Sequence, residues 1–333
     1  MRNFVAILGI AVAAAATVCL LPENTYQRWQ LLDGTIHGRS RWIYERIHFD
    51  PRPIDVAIVG PSRTARGVDA ERLQAALTRL GTPARVVNFA LPEGGRNTND
   101  VITEEMLSAK TPKLLIIGVI EKPSRFGHPA YKYLAPRSMV INPGYPTNVK
   151  YLQDLIYLPF RQMRLFAADV APGVAGLTKT FDAKAYDPDP AGPVRFRLDS
   201  GVVRDAGEAA PPAELATGVR TLEAGTRPPI LPPRWADFEF GDDRYYVRRM
   251  VAAAQKKGVK VAFLFLPYYT GPTRIQEEPL YRQYGPVWNA GFLASHPELY
   301  SDYAHLTTGG ADILTDWLSP QVSRMIVAPE RPQ

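Results

Sequence analysis

Four short apolar runs constrain the fold of this 333-residue chain more than any other feature of its sequence. They cover residues 55–60, 85–90, 113–120 and 260–266. The first three follow one another at about the 30-residue interval of a strand–helix–strand unit. Apolar runs of this kind are typical of strands buried on both faces of a parallel sheet. The sequence therefore predicts an α/β fold with helices on both faces of the sheet.

The segments between these runs predict helices. Asp69 can cap a helix whose apolar residues recur at helical spacing up to Gly81. After the second run, residues 92–95 form a turn signal, and Asn97 or Thr98 can begin the next helix. Further helices are expected over residues 151–168, over residues 244–257 and from Thr307 or Thr308 to Leu318.

Residues 1–21 predict a membrane anchor. One arginine, Arg2, precedes 18 uncharged residues from Phe4 to Leu21. A helix of that length spans about 27 Å, close to the thickness of the hydrocarbon core. Ala-x-Ala cleavage sites occur only inside the run, which favours an uncleaved signal anchor over a cleaved signal peptide. We expect one N-terminal transmembrane helix, with Arg2 in the cytoplasm and the rest of the chain exported.

The remaining residues predict a stem and one large domain. Residues 22–50 carry aromatic and charged side chains, and we expect them to form a membrane-proximal helical stem. Residues 51–325 are expected to form the α/β domain. Within it, residues 171–234 are rich in Pro, Gly, Ala and Asp and interrupt the strand–helix alternation. We interpret them as an irregular insertion that caps the domain.

The composition excludes several kinds of site. The one cysteine, Cys19, lies in the apolar run, so the domain has no disulfide, zinc–thiolate site or cysteine nucleophile. The five histidines show no metal-binding spacing, and no phosphate-binding or dinucleotide-binding motif follows the first strand. We therefore expect no metal and no cofactor.

The charge is basic but dispersed. The formal net charge is +6, and the arginines are spread along the chain without a basic run. This pattern does not favour nucleic-acid binding. It is compatible with anionic partners such as phospholipid surfaces or acidic polysaccharides.

Ser62 is the first residue that points to chemistry. It lies two residues past the first strand, in a Gly60-Pro-Ser sequence that precedes a helix. The carboxyl ends of parallel strands are where α/β sheets bind ligands, and backbone N–H groups at such a turn can face a developing oxyanion. The alternative is that Ser62 only caps the turn.

Asp302 and His305 strengthen the catalytic interpretation of Ser62. A nucleophilic serine needs a base within hydrogen-bond reach, and that base needs a carboxylate to fix its tautomer. An Asp-x-x-His sequence just before the last helix can supply both groups from one turn. An isolated pair of this kind is common on protein surfaces. Its occurrence together with a serine after the first strand is what indicates a Ser–His–Asp site.

With these residues the chain resembles the SGNH/GDSL hydrolase superfamily. Gly60-Pro61-Ser62 with Gly67 is similar to the first block of that family, Asn88 to Gly95 to the second, and Asp302 to Gly310 to the last. The resemblance implies a flavodoxin-like three-layer sandwich with a parallel sheet. It also implies that the N–H groups of Ser62 and of Gly94 or Gly95 form the oxyanion hole.

The third block departs from the family pattern. It usually carries Gly-x-Asn-Asp after the third strand, but here the strand ends Gly118-Val-Ile-Glu121 without the asparagine. Losing one such donor costs about 10²–10³ in rate if nothing replaces it. Arg63, Arg96 and Arg125 are candidate substitutes. Glu121 itself can orient substrate, or it can form a plain ion pair.

Other residues at the expected edge of the sheet have open roles. Tyr268 and Tyr269 follow the fourth strand, where they can stack on a sugar ring or pack beneath the insertion. His128 and His296 each precede a proline, which is more typical of structural histidines in loops.

The resemblance is to the membrane-anchored, extracytoplasmic members that accompany polysaccharide or cell-wall O-acylation. It implies an O-acyltransferase or esterase acting on acyl, chiefly acetyl, esters of an exported polysaccharide through a Ser62 acyl-enzyme. A multi-spanning membrane O-acyltransferase is an expected partner, and the domain would be periplasmic in a Gram-negative cell. One alternative is a catalytically degenerate SGNH fold that binds glycan or serves as a scaffold. Another is a general lipase or esterase.

Overall fold

A parallel sheet of five strands forms the centre of the protein. The computed structural model describes residues 2–144, 150–171, 176–190, 192, 194–197 and 201–327. The strands of the sheet are β1 (Val56–Val59), β2 (Val86–Asn88), β3 (Leu114–Val119), β6 (Lys260–Phe265) and β7 (Val287–Asn289). Their order is β2-β1-β3-β6-β7, and every neighbouring pair is parallel. The predicted α/β fold is confirmed, and this strand order is consistent with a flavodoxin-like fold.

Helices cover both faces of this sheet. The described residues contain α1 (Arg2–Cys19), α2 (Thr25–Trp29), α3 (Arg39–His48), α4 (Ser62–Gly67), α5 (Ala70–Arg79), α6 (Arg96–Ala109), α7 (Tyr131–Leu134), α8 (Arg137–Ile141), α9 (Tyr151–Val170), α10 (Pro212–Gly225), α11 (Ala236–Glu239), α12 (Gly241–Lys256), α13 (Glu278–Tyr281) and α14 (Thr308–Val327). α3, α6 and α12 pack on one face. α5 and α14 pack on the other.

The four strands that the sequence predicts are buried on both sides. In β1, Ala57 and Val59 pack into the core beneath α6 and α12, whereas Val56 and Ile58 pack into the core beneath α5 and α14. Successive side chains of a strand point to opposite faces, so a central strand covered by helices on both sides must be apolar at every position. This is the physical origin of the apolar runs.

Residues 22–50, predicted to be a membrane-proximal stem, contribute to the same core. Trp29 in α2 and Ile43 and Ile47 in α3 are buried with strand residues of the α6 face. Asn24 caps α2 by accepting a hydrogen bond from the backbone N–H of Gln27. The segment therefore packs as part of the α/β domain, because its apolar residues recur at helical spacing and bury against the sheet.

The predicted insertion contains regular elements in its described part. β4 (Arg195–Arg197) and β5 (Val203–Asp205) form an antiparallel hairpin, and α10 begins with Pro212 at a position that favours proline. Residues 172–175, 191, 193 and 198–200 of the predicted insertion lie outside the described residues. The insertion is bound to the loop before α14, since the N–H of Ala210 donates to the carbonyl of Tyr300 at 2.8 Å.

α1 covers most of the segment predicted as an anchor. Arg137 holds its carboxyl end by donating to the carbonyl oxygens of Cys19 at 2.8 Å and Leu21 at 3.2 Å. Among the described residues, no helix satisfies both the length and the hydropathy expected of a membrane span.

We predict that Gly118→Ala destabilises the protein and disturbs the turn that carries Ser62. A Cβ atom at Gly118 would lie 1.9 Å from the Oγ1 of Thr64 in α4. Overpacking of this kind typically costs about 1–3 kcal/mol of unfolding free energy. Urea unfolding of the variant measures the cost.

The matched control is the same substitution in a Thr64→Ala background, where the clashing hydroxyl is absent. Part of the cost should disappear there, while the Cβ atom of residue 64 still lies 2.9 Å from the added Cβ atom. An equal loss of unfolding free energy in both backgrounds would contradict this packing account.

Candidate active site

Ser62 is the first residue of α4, directly after β1. Pro61 is the N-cap residue and is extended, and it carries the chain from the carboxyl end of the strand into the helix. The side chain of Asn88, at the end of β2, donates to the carbonyl oxygens of Thr64 and Val68, both at 3.0 Å. The two neighbouring strands thus fix α4, and Ser62 stands half-exposed at the ligand-binding edge of the sheet.

Asp302 and His305 lie in the loop before α14. The Oδ1 atom of Asp302 accepts from the backbone N–H groups of Ala304 at 2.8 Å and His305 at 2.9 Å. Aspartate favours such local turns because its short side chain reaches the backbone two or three residues further on. The same carboxylate lies 2.8 and 2.9 Å from the Nδ1 atom of His305. One turn therefore supplies both the imidazole and the carboxylate that orients it.

The structure brings Ser62, His305 and Asp302 together in one hydrogen-bonded chain. The Nε2 atom of His305 lies 2.8 Å from the Oγ atom of Ser62. An ionised carboxylate can only accept, so Nδ1 carries the ring proton and Nε2 is free to accept from the serine hydroxyl. This is the tautomer that a serine nucleophile requires.

The charge on Asp302 is set by its neighbours. Burial works to raise the pKa of its carboxyl, but the hydrogen bond and charge interaction with His305, the Ala304 N–H and the Arg66 guanidinium outweigh it. The pKa of Asp302 is therefore lowered, and the group is ionised at neutral pH.

Two arginines that were not predicted from the sequence support this loop. Arg66 lies one turn after Ser62 in α4, with Nη1 3.3 Å from the Oδ2 atom of Asp302 and Nη2 donating to the Oγ atom of Ser301 at 2.8 Å. Arg204 in β5 donates to the carbonyl oxygen of Ser301 at 2.5 Å. The i, i+4 spacing of Ser62 and Arg66 was a signal in the sequence, whereas the contact of Arg204 depends on the path of the insertion.

Gly94 and Gly95 line a small cleft together with Pro61 and Ile120. Gly95 is the N-cap residue of α6 and has a φ of 133°, a backbone conformation that residues with a side chain rarely adopt. A Cβ atom there would also lie 2.2 Å from the backbone nitrogen of His128. Only glycine fits this close approach to the backbone of His128. The shared cleft places the turn after β2 beside the turn that carries Ser62.

Glu121 forms an ion pair with Arg63, the residue after Ser62. The Nη1 atom of Arg63 lies 2.6 Å from Oε2 of Glu121, and Nη2 lies 3.3 Å from Oε1. The guanidinium carbon also lies 5.2 Å from the ring centroid of Tyr268. Of the two roles open to Glu121, the ion pair is the one observed, and through it Glu121 fixes the side chain beside the serine.

The other two arginines considered as oxyanion donors are also engaged. Arg96 donates to the carbonyl of Gly118 at 2.5 Å and lies 3.3 Å from Asp243. Arg125 is paired with Glu239. Ile120, directly after β3, lines the same cleft and offers no side-chain donor.

Tyr268 and Tyr269 are placed at the carboxyl end of β6, as the sequence predicts for residues after that strand. The hydroxyl of Tyr268 donates to Glu223 of α10 at 3.2 Å. The ring of Tyr269 packs edge-on against Tyr300 with centroids 5.8 Å apart. Both contacts tie the strand end to the elements around the candidate site.

His37, Glu93 and His128 have ligand atoms within 4.8 Å of one another, a cluster that sequence spacing did not reveal. His128 is engaged on both ring nitrogens, because Nδ1 accepts from the Ala130 N–H at 3.0 Å and Nε2 lies 2.6 Å from the carbonyl of Pro92. These bonds leave no lone pair for a metal, so the cluster fits a structural support of the turn at residues 92–95. His296 is exposed and pairs with Glu298.

We predict that His128 makes the protein less stable in acid. Burial lowers the pKa of His128 to about 3, whereas an unfolded histidine titrates near pH 6.5. Below that pH the imidazole of His128 binds a proton in the unfolded chain but stays neutral in the folded chain. Stability is therefore full above about pH 6.5 and falls by about 1.4 kcal/mol per pH unit as the pH drops toward 3.

Urea unfolding of the wild type and of His128→Asn, at pH 7.5 and pH 5.5, checks this prediction. Asparagine can still accept from the Ala130 N–H but cannot titrate, and His37 is retained in both proteins. The wild type should lose more unfolding free energy on acidification than the variant. Equal losses would show that His128 does not resist protonation.

The sequence matches no protein-family model and shows no significant similarity to a curated protein. The described residues by themselves define an α/β protein with a Ser–His–Asp arrangement at the carboxyl edge of its parallel sheet.

Proposed function

We propose that this protein is an SGNH-like O-acyltransferase or esterase that acts on acyl esters of an exported polysaccharide through a Ser62 acyl-enzyme. The observation that carries the proposal is the 2.8 Å contact between Nε2 of His305 and Oγ of Ser62. His305 is in turn oriented by Asp302 at 2.8 Å. Such a chain of three groups is what activates a serine for acyl transfer.

The chemistry proceeds in two half-reactions. Oγ of Ser62 attacks the ester carbonyl while its proton passes to Nε2 of His305. The tetrahedral oxyanion collapses, and the leaving alkoxide takes the proton from the imidazolium, which leaves an acyl-Ser62 ester. A sugar hydroxyl or water then gives its proton to His305 and attacks the acyl group, and the returning proton regenerates Ser62. Attack by a sugar hydroxyl gives acyl transfer, and attack by water gives hydrolysis.

In this proposal, backbone N–H groups stabilise the oxyanion by hydrogen bonds. The N–H of Ser62 and that of Gly94 or Gly95 are the assigned donors, since their turns line one cleft. Ile120 leaves the third position without a donor. The expected consequence is a rate about 10²–10³ lower than in a site with a complete oxyanion hole.

The cellular setting is also part of the proposal. The apolar N-terminal segment supports an extracytoplasmic domain attached to a membrane, periplasmic in a Gram-negative cell. The resemblance to O-acylation proteins favours a multi-spanning membrane O-acyltransferase as the partner that supplies acyl groups.

A second candidate is a degenerate SGNH-like domain that binds glycan or serves as a scaffold. Ile120 favours it, and so do the ion pairs of Arg63, Arg96 and Arg125, which occupy the side chains that could replace the missing donor. The two candidates differ in whether Ser62 ever becomes acylated.

We predict slow acetyl release from p-nitrophenyl acetate that depends on the triad. Ser62→Ala should abolish the acetyl-enzyme seen by intact mass spectrometry, because no other group receives the acyl. Asp302→Asn should slow the reaction by about 10⁴, because the imidazole is then held in the wrong tautomer. Ser108→Ala, an exposed serine at the end of α6, is the matched control and should change nothing.

Adding polysaccharide acceptors to the same assay separates the candidates. Acetyl appearing on the glycan supports the transferase, and release to water alone supports the esterase. Glycan binding that is equal in the wild type and Ser62→Ala, with no acetyl-enzyme in either, would contradict the catalytic proposal and support the scaffold.

A further inference from the structure

α9 carries an exposed apolar stripe along its whole length. Its members are separated by three, four or seven residues and therefore share one face of the helix. The stripe comprises Leu152 (64% exposed), Ile156 (59%), Phe160 (59%), Met163 (46%) and Val170 (62%). Contiguous apolar surface of this kind is uncommon on soluble monomers and marks a contact with an apolar partner.

The opposite face of α9 is buried and mixed, because Leu158 and Leu165 are buried there beside three polar residues. Asp154, Arg161 and Gln162 are each at most 3% exposed. Arg161 donates to the carbonyl oxygens of Lys132 at 3.0 Å and Ala135 at 2.7 Å. A surface helix of a soluble protein normally buries its apolar face and exposes its polar one. α9 instead leaves five large apolar side chains exposed while it buries three polar ones, so this exposed face is expected to contact a medium less polar than water.

α1 extends the apolar surface. It packs against α9, and its carboxyl end is fixed by the bonds from Arg137 to Cys19 and Leu21. Its large apolar side chains are more than half exposed, namely Phe4, Val5, Ile7, Ile10 and Val12. Two neighbouring helices thus present apolar side chains outward, and we call their combined surface the α1–α9 face.

Cationic and aromatic side chains border the α1–α9 face. The Nζ atom of Lys132 lies 5.2 Å from the ring centroid of Tyr133 and 5.0 Å from that of Tyr157. Arg164 is exposed on α9. The two acidic residues of α9 add little negative charge outside, because Asp154 is buried and Asp169 pairs with Lys179 at 2.8 Å. Lysine, arginine and tyrosine around an apolar patch are typical of contact with an anionic bilayer.

We propose that the α1–α9 face binds the surface of a phospholipid bilayer that contains anionic lipids. The stripe of α9 lies in the membrane plane, with its apolar side chains about 5–10 Å into the boundary between headgroups and acyl chains. Lys132 and Arg164 contact the anionic headgroups. The inference does not depend on serine chemistry. Within the α1–α9 face, α1 belongs to the N-terminal segment already proposed to attach the protein, and α9 adds a second attachment beside it.

Fluorescence of labelled full-length protein locates the face. With Cys19→Ser as background, Phe160→Cys carries an environment-sensitive NBD label, and Thr78→Cys in α5 is the control on the other face of the sheet. Vesicles of phosphatidylcholine and phosphatidylglycerol are added, with or without doxyl-labelled lipid. The label at position 160 should brighten and be quenched by doxyl lipid, while the label at position 78 changes in neither respect.

Substitution measures how much α9 contributes. Ile156→Glu with Phe160→Glu places two charges on the exposed stripe, where folding should not suffer, and should weaken vesicle binding about tenfold or more. Ile230→Glu is the control, since Ile230 is a large apolar residue that is 71% exposed outside α9. It should leave binding unchanged.

Two outcomes would overturn the proposal. One is vesicle binding that the double substitution leaves unchanged. The other is a label at position 160 that brightens with protein concentration but is not quenched by doxyl lipid, which would assign the face to a second copy of the chain. Acetyl-enzyme formation, assayed in the same samples, reports separately on the proposed catalytic function.

Discussion

The hydrogen bond between Ser62 and His305 joins residues 243 positions apart and organises the candidate site. It forms only if the turn after β1 and the loop before α14 meet at one edge of the sheet. Close packing of α4 on Gly118 fixes the turn after β1, and the Asx turn of Asp302 fixes the loop before α14. Arg66 spans both, because it belongs to α4 and contacts Asp302 at 3.3 Å. The site is therefore a product of the whole α/β frame.

The sequence alone predicted the features that depend on local pattern. Strands buried on both faces must be apolar throughout, so β1, β2, β3 and β6 can be recognised in the sequence as apolar runs. A parallel sheet then brings the ends of its strands to one edge, so Ser62 could be expected there. The proximity of Asp302 and His305 followed from their spacing of three residues. The catalytic roles of these residues stay predictions, and so does the resemblance to SGNH hydrolases.

Features that depend on tertiary context could not be predicted. β7 has only three residues and lacks the long apolar run of the other strands. The aromatic and charged residues of the segment 22–50 predicted a stem, and only the packed structure shows that Trp29 is buried in the core. Arg204 supports Ser301 through a hairpin in a segment that looked irregular. The exposed apolar stripe of α9 was hidden as well, because apolar residues on both sides of a helix do not reveal which of them stay uncovered.

The most direct test of the central claim is a fluorophosphonate probe, followed by peptide mass spectrometry. An activated serine attacks the phosphorus of the probe and retains it, whereas an ordinary surface serine does not react. The account predicts one adduct, on Ser62, that is lost in His305→Ala. A wild-type protein that takes up no probe, or that takes it up on Ser62 equally well without His305, would contradict it.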